Sequence, residues 1–236
     1  MTIRRRTGVL GGTFDPIHAG HLAMASAAAR ALALDSVLLL PSRTPPHRPV
    51  DPSASIYHRF AMVALGAQSD GRLIACDLEL GRPGPSYTAD TLRALHGTGL
   101  DRLQIFFLTG ADAFAEIATW REYPAVLDLA HFVVCSRPGT PAGSMPARVP
   151  ELASRMVTVP EGAPAPAAAP QPCVYLLDAP TPDVSSTDIR ARARAGRLLA
   201  GLLPPEVEAY IRRHGLYGVP AGAEAIDRPA AEHLHE

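Results

Sequence analysis

Short apolar runs, each closed by a polar or glycine-bearing loop and most followed by a helix-like stretch, constrain this chain most. Gly8–Leu10, Ser36–Leu40, Leu103–Thr109 and Phe132–Cys135 are nearly continuous in apolar residues. Shorter runs stand at Arg72–Cys76, Met156–Val159 and Val174–Leu177. Without alternation of polar and apolar residues, such runs suit strands buried on both sides. Between them the pattern predicts helices over His18–Leu32, Ile56–Gln68, Thr88–His96, Ala111–Ala118, Pro124–Ala130, Pro150–Arg155, Ser186–Ala195 and Pro204–His214. The last has Pro204-Pro205 at its start, where proline costs a helix little. Strands alternating with helices imply an α/β fold, a doubly wound parallel sheet with helices on both faces.

The 236 residues suit one domain over 1–218. A Pro/Ala-rich surface excursion is expected at about 140–172 and a mobile tail over 219–236. The formal net charge is −1, so no basic field favours nucleic acid. Every basic side chain other than histidine is arginine. A cationic phosphate contact must therefore come from Arg, His or backbone N–H groups. Cys76, Cys135 and Cys173 lie far apart, without zinc-ligand spacing or a disulfide pattern; no protein-held metal is expected. No run approaches ~18 apolar residues, and Arg4-Arg5-Arg6 has no apolar segment behind it. The expectation is a cytoplasmic protein with no membrane partner. No sequence feature specifies an oligomeric state.

Polar clusters follow the strands. Gly11–Asp15 comes after the first, Ser42–Arg48 after the second, Gly110-Ala111-Asp112 after Leu103–Thr109, Ser136-Arg137 after Phe132–Cys135, and Asp183–Thr187 after Val174–Leu177. Open α/β sheets bind ligands beyond the carboxyl ends of their strands, so these loops should share one rim. His18 and His21 lie one helical turn apart on one face, at a helix start whose N–H groups attract anions. Gly11 and Gly12 let a phosphate approach the backbone, and Thr13 adds a hydroxyl. Asp15 either orients a donor or caps a turn before Pro16. In Val184-Ser185-Ser186-Thr187-Asp188-Ile189-Arg190, hydroxyl residues cap a helix and Arg190 sits on its first turn, facing the same anion.

Gly11-Gly12-Thr13-Phe14-Asp15-Pro16-Ile17-His18-Ala19-Gly20-His21 resembles the H-x-G-H signature of a nucleotidyltransferase superfamily of Rossmann-like fold. Val184–Arg190 resembles its I-S-S-T-x-[IV]-R motif, with Val184 for the usual Ile. Further segments narrow the likeness: Pro45-Pro46-His47-Arg48, Pro85–Leu92, Thr109–Asp112, Thr119–Tyr123 and Cys135–Gly139. Together they resemble bacterial nicotinate-nucleotide adenylyltransferases over roughly Gly8 to Tyr217. The resemblance implies adenylyl transfer from ATP to nicotinate mononucleotide, giving deamido-NAD and pyrophosphate in NAD biosynthesis, with Mg²⁺ carried by ATP. It implies that His18, His21 and Arg190 are catalytic. ATP would be held by these three with Gly11, Gly12, Thr13, Phe14, Gly110, Asp112, Arg137, Ser186 and Thr187. Asp112 would bind a ribose hydroxyl or cap the helix that follows it. Nicotinate mononucleotide would be held by Asp15, His47, Arg48, Thr88, Ala89, Trp120 and Arg121. In that set His47 and Arg48 take the phosphate, Trp120 stacks on the pyridinium ring or packs in the core, and the Thr88-Ala89 helix start and the Arg121 amide take the carboxylate. Phosphopantetheine adenylyltransferase, a nicotinamide-mononucleotide preference and a nucleotide-sensing module without catalysis are the competing readings.

Overall fold

The computed structural model describes residues 5–45, 51–179 and 181–220. Seven strands form one sheet: β1 (Thr7–Gly12), β2 (Ser36–Pro41), β3 (Leu73–Ala75), β4 (Ile105–Gly110), β5 (His131–Cys135), β6 (Met156–Val159) and β7 (Val174–Leu177). Their order is β3-β2-β1-β4-β5-β7-β6, and every pairing is parallel. The chain winds outward from β1 to β3, then returns to β4 on the other side of β1. That reversal opens a crevice above β1 and β4.

Among the described residues seven α-helices accompany the strands: α1 (Ala19–Ala31), α2 (Ile56–Ala67), α3 (Thr88–Gly97), α4 (Ala111–Phe114), α5 (Met145–Arg148), α6 (Ser186–Arg194) and α7 (Pro205–Arg213). Successive strand residues point to opposite faces, so each strand feeds two cores. Leu10, Phe106 and Leu108 enter one core with residues of α1, α2, α6 and α7. Val9, Ile105 and Phe107 enter the other, with Leu92, Phe114, Phe132 and Met145. In α1, Ala25, Ala28 and Ala29 are buried; their small side chains let the helix lie close to the sheet.

The sequence expectation is met in kind and corrected in detail. The predicted helix over Ala111–Ala118 is the single turn α4 followed by a 3₁₀ turn at Ile117–Thr119. Those predicted over Pro124–Ala130 and Pro150–Arg155 are also 3₁₀ turns, at Ala125–Asp128 and Pro150–Arg155. The stretch from 140 to 172 divides. Its first half buries Ala142, Met145, Val149 and Leu152 in the second core and supplies β6 as an edge strand. Its second half, 160–172, contains no helix or strand. Residues 221–236, most of the expected tail, lie outside the described residues. Among the described residues no helix is long and apolar enough to cross a membrane.

At the opposite end of the sheet from the crevice, His131 is 2% exposed. Its ring stacks on Phe106, and its Nδ1 accepts a hydrogen bond from the Cys173 N–H at 3.0 Å. Burial holds the imidazole down to about 4, with the nearby Arg6 charge adding to the effect. The unfolded chain therefore takes up this proton first as pH falls. The associated stability is complete above about pH 6.5 and is lost toward pH 4, by up to about 3 kcal/mol. Urea unfolding at pH 7.5 and 4.5 should show that loss, and His131→Phe should make it shallower. An equal slope in the variant would contradict burial of a neutral His131.

Candidate active site

The crevice holds a cavity of about 410 Å³. Its wall takes Gly11, Gly12, Thr13 and His21 from the β1–α1 region, Ser42 and Pro45 after β2, and Gly110 and Asp112 after β4. Arg137 after β5, Trp120 and Arg121 complete it, with Glu79 and Ser86–Thr88 from the β3–α3 connection. A second hollow of about 190 Å³ shares Asp112 and Arg137 with the first and continues to Pro182–Ser185. The loops expected at one rim do meet there.

His21 lines the cavity; His18 does not. The two rings stack at 3.7 Å between centroids, and Phe14 meets His21 edge-on at 5.0 Å. His18 is 1% exposed, so it lies in the packing against His21 rather than on the open wall. Burial, reinforced by the Arg137 charge, brings the His18 imidazole down to about 4. It is therefore neutral near pH 7, and its buried Nδ1 has no hydrogen-bond partner among the described residues. His18 is the N-cap of α1, but its side chain makes no capping bond. The Ala19 N–H of that helix start is taken by the Leu202 carbonyl at 2.9 Å.

The two glycines of the turn have different work. A Cβ at Gly11 would touch only the Phe107 ring, at 3.9 Å, leaving its side open toward the cavity. A Cβ at Gly12 would strike the Phe14 ring at 2.9 Å. Phe14 is 1% exposed and sits at φ 48°, a costly region for a bulky residue. Its ring supports His21 from behind and does not line the cavity. At Gly110 a Cβ would collide with the Asp112 carboxylate and come within 3.1 Å of Arg137. Glycine there lets the loops after β4 and β5 close together.

Asp15 faces the interior. Its carboxylate is 1% exposed and is spent inside the protein. It accepts from the Ser53 N–H at 2.8 Å, the Ala54 N–H at 3.1 Å and the Tyr217 hydroxyl at 2.8 Å. It ties the first loop to the segment before α2 and to the last turn of the described chain. The second motif grips the same loop. Ser186 Oγ donates to the Pro16 carbonyl at 2.9 Å, and Arg190 Nη1 donates to the Asp15 carbonyl at 2.7 Å. Thr187 Oγ1 accepts from Arg190 Nη2 at 3.3 Å, and Ser185 caps α6 through the Asp188 N–H. Ser186, Thr187 and Arg190 thus stand behind the loop, off both hollow walls.

At the other end of the cavity, Trp120 lies between core and wall. It packs edge-on against Phe107 and Phe132 and still lines the wall. Arg121 places its guanidinium over the Tyr87 ring at 4.6 Å and 3.7 Å from the Asp90 carboxylate. Arg93 pairs with Glu122, fastening the Trp120 loop to α3. Thr88 lines the wall at the start of α3, and no side chain caps that helix. Ala89 is buried just behind it. His47 and Arg48 lie outside the described residues. Among the described residues no three His, Cys, Asp or Glu side chains converge on one point.

Two residues of the site escape the motifs. Arg59 in α2 is 1% exposed; its Nη1 donates to the Thr13 and Ser42 carbonyls at 2.7 and 2.8 Å, and its Nε to the Ala54 carbonyl at 3.2 Å. Glu79, 5% exposed, lines the cavity and accepts from Thr91 Oγ1.

The cytidylyltransferase-like family model matches residues 9–192. A relative from Desulfitobacterium hafniense (strain Y51), named probable nicotinate-nucleotide adenylyltransferase, is 40% identical over 215 residues, 91% of this chain and 97% of its own. One of the same name from Thermus thermophilus is 40% identical over 213 residues, covering 90% and 99%. Among solved structures, the chain is similar to Plasmodium falciparum nicotinic acid mononucleotide adenylyltransferase complexed with NaAD. That match has a TM-score of 0.69 at 16% identity, covering 91% of this chain and 98% of the other, and it speaks for the fold.

Proposed function

The chain belongs to the cytidylyltransferase-like family, among relatives named nicotinate-nucleotide adenylyltransferase, and from that premise we infer its reaction. It joins ATP and nicotinate mononucleotide to give deamido-NAD and pyrophosphate, a step of NAD biosynthesis, and the reading carries a cytoplasmic setting with it. A 5′-phosphate oxygen of the mononucleotide attacks the α-phosphorus of ATP. The bond to the bridging oxygen breaks and pyrophosphate leaves. The attacking phosphate is already ionised near neutral pH, so no protein base is needed. What the protein supplies is alignment and charge neutralisation.

The observation that carries this reading is a cavity with a phosphate end and an aromatic end. At the phosphate end, Gly11 leaves room against the backbone, and His21 and Arg137 supply donors and charge. Beyond Arg137 the second hollow has room for the adenosine part of ATP, with Asp112 between the two. Mg²⁺, arriving bound to the triphosphate, would supply further neutralisation of its oxygens. Asp112, a largely exposed carboxylate on the shared wall, would accept from a ribose hydroxyl of ATP. Arg190, Ser186 and Thr187 act on ATP through the loop they hold. At the aromatic end, Trp120 offers a face to a pyridinium ring, and the uncapped start of α3 with the Arg121 guanidinium favours a carboxylate.

Replacing Trp120 by alanine should raise KM for nicotinate mononucleotide about tenfold and leave KM for ATP within twofold, the size of a desolvated cation–π contact of about 1–2 kcal/mol. Steady-state kinetics with each substrate varied in turn would check it. An equal rise in both values would place Trp120 in the core alone.

A further inference from the structure

We propose that Glu79 is a further substrate-binding residue, its carboxylate accepting a hydrogen bond from a ribose hydroxyl of the pyridine mononucleotide. The proposal rests on the adenylyl-transfer reading above. Glu79 follows β3 and is nineteen-twentieths buried, yet it lines the cavity with Ser86, Tyr87, Thr88, Thr91 and Trp120. Its Oε1 accepts from Thr91 Oγ1 at 2.5 Å. Thr91 lies one turn into α3 from Thr88, so this bond fixes the carboxylate against the wall that starts at the helix N-terminus. The other oxygen, Oε2, is buried and has no hydrogen-bond partner among the described residues. A buried carboxylate oxygen without a donor is costly to keep and calls for one.

Among the described residues nothing provides that donor. Arg82 is nearest in sequence, and its N–H closes a turn on the Glu79 carbonyl at 3.3 Å. Its guanidinium leans instead toward Asp90, 3.9 Å away, and its Nη1 is itself buried without a partner. The chemistry of the ligand then decides. Nicotinate mononucleotide with its carboxylate and phosphate ionised has acceptors at both ends. Its only O–H donors are the two hydroxyls of the ribose, which lies between ring and phosphate. A carboxylate accepts and cannot donate. Glu79 can therefore recognise the ribose and cannot hydrogen-bond either charged end of this substrate. Ribose hydroxyls are elsewhere held by acidic side chains at the ends of parallel strands, on the same chemical grounds.

The test is pyrophosphate release by the unaltered protein and by Glu79→Gln, with nicotinate mononucleotide and its 2′-deoxy and 3′-deoxy analogues. Glutamine keeps the size of the side chain and an acceptor for Thr91. The expected result is a KM for the natural mononucleotide raised about tenfold in E79Q, with KM for ATP and kcat within twofold. One deoxy analogue should show a similar rise on the unaltered protein, and E79Q should add little to it. An unchanged KM in E79Q overturns the assignment. So do losses that multiply, because a carboxylate acting on the ring's positive charge would affect deoxy and natural substrates alike. If both deoxy analogues match the natural substrate on the unaltered protein, the assignment falls whether or not E79Q folds. Absence of turnover of nicotinate mononucleotide by the unaltered protein overturns the underlying reaction as well, which separates the two failures.

Discussion

His21→Ala is expected to lower kcat for pyrophosphate release by about 10²-fold or more, on the scale of a lost donor to a transition-state oxygen. His21 is the histidine on the cavity wall, held there by His18 at 3.7 Å on one side and by the Phe14 ring on another. Alanine keeps α1 intact, so thermal unfolding should change little while turnover collapses. His18→Ala should bring a comparable loss by a different route. Its ring is buried and neutral, and its removal frees His21 to leave its orientation. The pair therefore should behave as a unit: the double variant should be little worse than either single one. A fall below threefold in His21→Ala with an intact fold would contradict the role given to this residue.

Arg59→Met should cost about 3–5 kcal/mol of stability, the range for removing one member of a buried charged network. Its guanidinium binds carbonyls of Thr13, Ser42, Arg43 and Ala54, and so joins the loops after β1 and β2 to the start of α2. Methionine fills the space but leaves those carbonyls without donors. For a domain of this size the loss corresponds to a midpoint lowered by roughly 10 °C. Thermal unfolding of Arg59→Met beside Arg192→Met gives the comparison. Arg192 makes an exposed pair with Asp188 one helical turn away, and its loss should cost under about 1 kcal/mol. Equal midpoints for the two variants would remove Arg59 as the clasp of the site.

The residues that could be read from the sequence are those whose role is local. Unbroken apolar runs located the strands because a strand covered on both faces has no polar side. The polar loop after each strand led to the rim because a parallel sheet places all those ends together. Asp15 shows where this stops. Its partners are Ser53, Ala54 and Tyr217, the last 202 residues away, and no spacing encodes a contact of that range. Ser186 and Arg190 were placed beside an anion by their motif, whereas their nearest partners are loop carbonyls supplied by the fold. Arg59 reads as one more charge in a helical pattern until α2 docks over two loops. Glu79 stands in a stretch without periodicity, and only the Thr91 contact and the cavity single it out. Ala111–Ala118 has a helical composition, but the chain turns at Phe114 to carry Trp120 back to the crevice.

The central claim is that the aromatic end of the cavity accepts nicotinate mononucleotide and the phosphate end transfers an adenylyl group to it. Pyrophosphate release from ATP and Mg²⁺, with nicotinate mononucleotide, nicotinamide mononucleotide and phosphopantetheine compared side by side, tests it most directly. The account predicts fast release with nicotinate mononucleotide, slower release with its amide and none with phosphopantetheine. Equal rates with the two pyridine nucleotides would contradict selection of the carboxylate at the start of α3. Binding of ATP without release in any of the three mixtures would contradict catalysis itself.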